Sequence, residues 1–270
     1  MENTAVKTAI VPQIVNWLRE YAEKTCQNGF VVGVSGGIDS AVVSTLCAMT
    51  GLPTMCVSLP ILQAKDQEML ADKHLTWLKE KFNNVATVKK DLTNSFTKMK
   101  CDLDMFYPSL TLANMRSRLR MVALYAFANR FGYLVAGTGN KVEDYGVAFF
   151  TKYGDGGVDV SPIGDLMKTE VWALGVELGI LEEIVAAKPT DGLWGDNRSD
   201  EDQIGAPYPK LEWAMDVCTE YGLESPEDVD FHIGEMEYDD NEKNTLRIYI
   251  KRHVAGAHKM CMPPICVITR

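Results

Sequence analysis

A short apolar run, Phe30-Val31-Val32-Gly33-Val34, leads into Ser35-Gly36-Gly37-Ile38-Asp39-Ser40, and Ala41–Met49 follows as an apolar stretch stopped by Thr50-Gly51. The order of strand, glycine-rich turn and helix constrains this chain more than any other feature. It calls for a buried parallel strand whose carboxyl end carries an anion site. Without Cβ atoms at Gly36 and Gly37, backbone N–H groups can close on an oxyanion. The helix N-terminus adds unpaired donors and partial positive charge. Ser35 and Ser40 supply hydroxyls. Asp39 can hold a metal ion but repels a bare phosphate, so the combination asks for a pyrophosphate with Mg²⁺. A plain helix cap would use some of these residues, but it does not need the whole string between a strand and a helix.

The loop is not a Walker A motif, because no Gly-Lys-Ser/Thr follows, and Gly137-Thr138-Gly139 is only a fragment of a Rossmann fingerprint. Ser-Gly-Gly-Ile-Asp-Ser instead resembles the pyrophosphate loop of the ATP-pyrophosphatase family, whose members cleave ATP between the α- and β-phosphates to adenylate a carbonyl oxygen. Composition narrows the partners. With 270 residues, 46% of them apolar, the chain can bury a full core. A net charge of −10 disfavours non-specific nucleic-acid binding. It also means that any ATP site must be built from local cations, backbone donors and Mg²⁺ against the overall field. No stretch is apolar enough to span a bilayer, and Met1-Glu2-Asn3-Thr4 lacks a signal-peptide layout. The seven cysteines suggest neither a disulfide framework nor a CxxC pair, and the four histidines are scattered. A reduced, cytoplasmic enzyme is the expectation.

Val6, Ile10, Ile14, Trp17, Leu18 and Tyr21 recur at helical spacing and predict an opening amphipathic helix. Strands are expected at 30–34, 53–59, 84–88 and 133–136, with helices near 38–50, 64–81 and 112–131 between them. This alternation predicts an α/β fold, a Rossmann-like parallel sheet with helices on both faces and ligands beyond the strands' carboxyl ends. Segments 151–163 and 188–210 read as long loops, 208–256 as helical and the last residues as extended. With no repeat or low-complexity linker, residues 1–270 are expected to form a single domain.

Phe150-Thr151-Lys152-Tyr153-Gly154-Asp155-Gly156-Gly157 brings aromatic faces, a cation, a carboxylate and tight backbone together. Along with Ser35–Ser40, Asn114–Met121, Gly137–Glu143, Lys168, Pro189-Thr190 and His258-Lys259, it makes the chain resemble the ammonia-dependent NAD⁺ synthetases across nearly its whole length. That resemblance implies the adenine nucleotide alpha-hydrolase-like fold and a homodimer. It implies ligase activity in NAD biosynthesis: ATP-dependent amidation of deamido-NAD⁺ through an acyl-adenylate. It places ATP on Gly33, Val34, Ser35, Gly36, Gly37, Ile38, Asp39, Ser40, Thr138, Lys168 and Thr190, and Mg²⁺ on Asp39 and Glu143. It places the dinucleotide on Arg118, Lys152, Asp159, His258 and Lys259. Lys168 is expected to be catalytic, and Asp159 to hold ammonium and accept its proton. Nitrogen is expected from free ammonia, since no cysteine sits in a setting that suggests an activated thiolate. The chain departs from the family in four places: one additional residue between Glu143 and Lys152, an acid shifted to Asp191, and Met260 and Ser58 where cations are common.

Overall fold

The structure is a computed structural model describing residues 2–104, 109–190, 192 and 198–269. Strands β1 (Phe30–Gly33), β2 (Thr54–Ser58), β3 (Val85–Lys89) and β4 (Leu134–Ala136) form one sheet of order β3-β2-β1-β4. All three pairings are parallel. The continuous apolar runs of β1 and β2 reflect burial on both faces. Phe30, Val32, Leu134 and Ala136 pack against α1 (Glu2–Lys24), α2 (Ile38–Met49) and α6 (Lys168–Glu177). Val31, Met55, Val57 and Val135 point the other way, onto α5 (Ser109–Phe131). Cys56 and Val34 meet Ala71, Leu75 and Leu78 of α3 (Lys65–Lys81).

Each expected strand is present within a residue or two of its expected ends, and the helices depart further from expectation. In α1 the buried stripe is Val11, Val15, Leu18 and Ala22, whereas Trp17 stays 42% exposed. Of the expected stripe, Leu18 is fully buried and Ile10, Ile14 and Tyr21 pack partly buried against the same core, so Trp17 marks its exposed margin; the Val6 side chain lies outside the described residues. Helix α4 (Thr93–Asp102) has no counterpart among the expected elements, and α6 starts at Lys168. Short helices α7 (Glu182–Val185) and α8 (Asp200–Ile204) follow, the latter inside the expected 188–210 loop. The expected helical stretch 208–256 divides into α9 (Tyr208–Tyr221), α10 (Pro226–Glu235) and α11 (Asp240–Met260). Gly222 ends α9 in the left-handed region at φ 62°, and Ser225 and Asp239 cap the next two helices. These three helices enclose a second core around Tyr208, Leu211, Leu246 and Ile250. Segment 158–160 runs beside β4, with one parallel bridge between Ala136 and Val160.

Candidate active site

The chain adds β2 and β3 on one side of β1, then returns through α5 to place β4 on the other side. The strand order thus reverses between β1 and β4, and the crevice beyond their carboxyl ends is where such sheets bind ligands. Gly33–Ser40 leaves β1 into this crevice and Gly137–Asn140 leaves β4 into it. Gly36 has φ 93°, and a Cβ there would stand 2.7 Å from the Gln67 carbonyl oxygen and 2.9 Å from the Ala71 nitrogen. Only glycine combines that conformation with so close an approach to α3. The Ser40 hydroxyl donates to the Gly37 carbonyl at 2.9 Å and accepts from the Ser35 N–H at 3.2 Å, while Ser35 Oγ accepts from the Gly37 N–H at 3.2 Å. A phosphate oxygen would compete with these hydroxyls for the loop's donors. The Val34 N–H is committed to Val57 of β2 and the Ile38 side chain is buried in the core, so both support the loop from behind.

Asp39 opens α2, Glu143 lies in a π-helical turn (Val142–Gly146) after β4, and Lys168 is the first residue of α6. The three side chains meet. Lys168 Nζ donates to Asp39 Oδ2 at 2.6 Å and to Glu143 Oε1 at 3.0 Å, with the lysine side chain only 1% exposed. Burial by itself would lower the Lys168 pKa, but the two carboxylates outweigh it and leave it raised. Burial also pushes Glu143 up, Asp39 adds to that, and the ammonium of Lys168 and the hydroxyl of Tyr208 offset part of it. Tyr208 OH donates to Glu143 Oε1 at 2.6 Å, its own pKa raised chiefly by burial, so it remains a donor. Asn140 is fully buried and joins both acidic residues: its Nδ2 donates to Asp39 Oδ1 at 3.0 Å, and its Oδ1 accepts from the Glu143 N–H at 3.1 Å. Between Glu143 and Lys152 the chain makes the π turn, in which Val147 N–H reaches back to Val142 O at 2.8 Å. Glu143 and Asp39 share the ammonium of Lys168.

The α6 N-terminus itself is not open to a phosphate. Its donors go to carboxylates, Met167 N–H to Glu170 at 2.8 Å and Thr169 N–H to Glu212 at 2.9 Å. Any phosphate role for Lys168 rests on its ammonium group. Thr138 lies in the β4 loop. The Thr190 hydroxyl accepts from Gly192 N–H at 3.2 Å, and Gly192 lies close against Gln63 and Gln67 on the flank of the phosphate loop. Asp191 lies outside the described residues.

A second cluster forms where the end of α11 meets the turn after the π helix. Lys152 Nζ donates to the carbonyls of His258 at 2.6 Å and Cys261 at 3.0 Å, and Arg118 Nε donates to Lys152 O at 3.3 Å. Lys259 Nζ donates in return to Ala148 O and to Phe150 O, the latter at 2.8 Å. His258 takes part through its carbonyl, and its ring is exposed. The turn is held on α5 by Ser117, whose hydroxyl donates to Asp155 at 2.5 Å and accepts from the Asp155 N–H at 2.8 Å. Asp159 is elsewhere, on the outer edge of β4, where its carboxylate accepts from Tyr125 OH at 2.9 Å and Val135 N–H at 2.8 Å.

With one ammonium between two carboxylates, the Asp39–Glu143–Lys168 group keeps a net negative charge. Its hard oxygen donors suit Mg²⁺. Among the described residues no three His, Cys, Asp or Glu side chains close on one point. A cation here would take its remaining ligands from phosphate oxygens and water, the usual habit of Mg²⁺.

The family model for NAD synthase matches residues 10–262. The chain belongs to the NAD synthase family. It is 39% identical over 210 residues to the NH(3)-dependent NAD(+) synthetase of Carboxydothermus hydrogenoformans, covering 74% of this chain and 82% of that protein. It is 34% identical over 263 residues to the protein of the same name from Methanosarcina mazei, covering 94% and 95%. Its fold superposes on the NMN synthetase of Francisella tularensis with a TM-score of 0.80 at 29% identity, covering 97% of this chain and 99% of that one. Against that family background, two residues of the acidic cluster were missed in the sequence. Asn140 could have been suspected from its place after Gly137-Thr138-Gly139. Tyr208 carries no local signal, since it reaches Glu143 across 65 residues.

Proposed function

We propose that this NAD synthase amidates deamido-NAD⁺ with ammonia and ATP, releasing AMP and pyrophosphate. The observation that carries this reading is the convergence of Asp39, Glu143 and Lys168 beside the Gly33–Ser40 loop at the point where the strand order reverses. A carboxylate is a poor electrophile because its charge is delocalised and oxide cannot leave. Adenylation of the nicotinate oxygen converts it into an acyl-adenylate, ammonia attacks the acyl carbon, and AMP departs. Lys168 supplies a fixed positive charge where the pyrophosphate leaves, and the loop's N–H groups hold that leaving group. Mg²⁺ held by Asp39 and Glu143 would neutralise triphosphate charge. Asn140 and Tyr208 fix the two carboxylates. Arg118, Lys152 and Lys259 orient the dinucleotide, and their ammonium and guanidinium groups trade backbone carbonyls for its phosphates. Asp159 receives ammonium and its proton. A carboxylate has about four acceptor sites, so the bonds from Tyr125 and Val135 orient it and leave capacity on its exposed side.

We further propose that the protein is a cytoplasmic homodimer whose 270 residues act as one domain. Trp172 packs against both the sheet core and the C-terminal helical core, which supports the single domain. Leu110, Val122 and Phe131 lie exposed at different points around α5, apolar surface that a second copy would cover. All seven cysteines are free, as suits a reducing compartment. Among the described residues no helix is long and apolar enough to cross a membrane. A second reading, amidation of nicotinic acid mononucleotide, is favoured by the likeness to the Francisella protein. Met260 and Ser58, standing where cations are common, fit a substrate with fewer phosphates. One assay tests both readings: kcat/KM for each acceptor with ATP and ammonium, quantifying AMP, with glutamine in ammonia-free buffer as the control. Preference for deamido-NAD⁺ with AMP as product supports the main reading. Preference for the mononucleotide replaces it with the second, and ADP as product, or efficient glutamine use, overturns both.

A further inference from the structure

His74 is fully buried in α3 and takes no part in the chemistry described above. One face of α3 runs through Gln67, Ala71, His74 and Leu78, at the spacing of successive helical turns. Its upper end, Gln67 and Ala71, is the surface against which Gly36 of the phosphate loop lies. Its lower end, Leu78, is apolar core shared with Val34 and Cys56. His74 sits between them and puts a polar group into this mostly apolar contact, with Nε2 2.9 Å from Ser44 Oγ of α2 and the Ala41 carbonyl of the same helix also at the ring.

The direction of that bond follows from its neighbours. Ser44 Oγ lies 2.7 Å from the Ser40 carbonyl and 3.1 Å from that of Ala41, so its single proton goes to a carbonyl and its lone pair is left to receive the proton of His74 Nε2. The ring is then the neutral Nε2–H tautomer, and its buried Nδ1 has no partner. Burial, opposed in part by the Ala41 carbonyl, lowers the His74 pKa to about 4, which keeps the ring neutral at working pH. A buried nitrogen without a partner costs stability. Phenylalanine could fill the same space and keep the stack on Trp77, whose ring centroid is 5.4 Å away. The histidine is therefore poorly explained as filler, and its bond leads to Ser40, whose hydroxyl ties the phosphate loop to itself.

We propose that His74 is a positioning residue for the nucleotide: through Ser44 it fixes the register of α3 on α2, and α3 in turn sets the backbone of Gly36 and its neighbours for the ATP phosphates. A polar bond inside an apolar contact specifies one alignment where side-chain packing alone tolerates several. The inference rests on the assignment of Gly33–Ser40 to ATP.

The test compares His74→Phe, His74→Gln, Ser44→Ala and the His74→Phe/Ser44→Ala double variant. Melting temperature, steady-state kinetics and the Kd of a non-hydrolysable ATP analogue are measured for each. His74→Phe is expected to melt at or above the wild-type temperature. Its KM for ATP and its analogue Kd should rise about ten-fold, with KM for deamido-NAD⁺ and ammonium unchanged. His74→Gln, whose amide can donate to Ser44, should recover to within about three-fold. Ser44→Ala should match His74→Phe, and the double variant should be no worse than either, because all three break the same tie. Analogue affinity within two-fold of wild type in His74→Phe would overturn the inference, as would KM values for ATP and deamido-NAD⁺ rising together. If His74→Phe does not fold, Ser44→Ala decides by the same criteria. A wild-type enzyme that fails to bind the analogue refutes the ATP assignment itself, a result separable from the others.

Discussion

Replacing Lys168 with methionine removes the cation between Asp39 and Glu143, whose side chains are only 17% and 15% exposed. Methionine is close to lysine in volume, so the packing against Tyr208, whose ring centroid lies 4.9 Å from Nζ, survives. What is lost is charge compensation. Breaking a buried ion pair from one side costs about 3–5 kcal/mol, because the remaining charges are left unpaired. For a chain of 270 residues, an unfolding entropy of about 2.1 cal/mol/K per residue gives about 0.57 kcal/mol/K in all. Lys168→Met should therefore lower the melting temperature by about 5–9 °C, measured calorimetrically with a chelator present so that no cation fills the gap. The triple variant Lys168→Met/Asp39→Asn/Glu143→Gln should regain most of that loss, since it buries no unpaired charge. Neither variant should release pyrophosphate at more than about a hundredth of the wild-type rate. A single variant melting within about 2 °C of wild type would refute the energetic reasoning, and one with normal pyrophosphate release would refute the catalytic role.

Asp39→Asn and Glu143→Gln should each lower turnover about 100-fold or more while leaving the protein folded, and normal activity with normal Mg²⁺ dependence in Glu143→Gln would show that the π turn has displaced that residue. Stability should fall in acid through His74. Its folded pKa of about 4 lies below the ordinary value of 6.5, so the unfolded chain binds the extra proton between these limits. The stabilisation is complete above pH 6.5 and lost toward pH 4, about 3 kcal/mol in all. Denaturant titrations of wild type and His74→Phe should diverge over that window, and parallel pH profiles would contradict the assignment. Asp159→Asn should cut amide formation about 100-fold while pyrophosphate exchange persists; both steps falling together would leave Asp159 a binding role alone.

The sheet was legible because its strands are short, buried on both faces and separated by glycine-rich turns, so their apolar runs stand out. The phosphate loop was legible for the related reason that its glycines and hydroxyls are contiguous. Helix phase was less clear. In α1, Val11, Val15, Leu18 and Ala22 are buried and Ile10, Ile14 and Tyr21 pack partly buried beside them, whereas Trp17, the largest residue of the expected stripe, is left at its exposed margin. The expected helical stretch 208–256 hid two breaks, whose signals were the local Gly222 and the Ser225-Pro226 and Asp239 caps. In the site, Asp39 and Glu143 were placed by resemblance, and the structure supplies what binds them together. Lys168 meets Asp39 across 129 residues and Glu143 across 25, and Asn140 meets Asp39 across 101. Pairings this remote in sequence depend on the strand order, which no local pattern encodes.

Whether the nicotinate carboxylate is activated by adenylation can be read from the fate of its oxygen. Deamido-NAD⁺ labelled with ¹⁸O in that carboxylate would be turned over with ATP and ammonium, and the products resolved by mass spectrometry. If the loop, Lys168, Asp39 and Glu143 drive acyl-adenylate formation, one labelled oxygen appears in the phosphate of AMP and none in pyrophosphate. Label in inorganic phosphate with ADP as co-product, or AMP free of label, would contradict it.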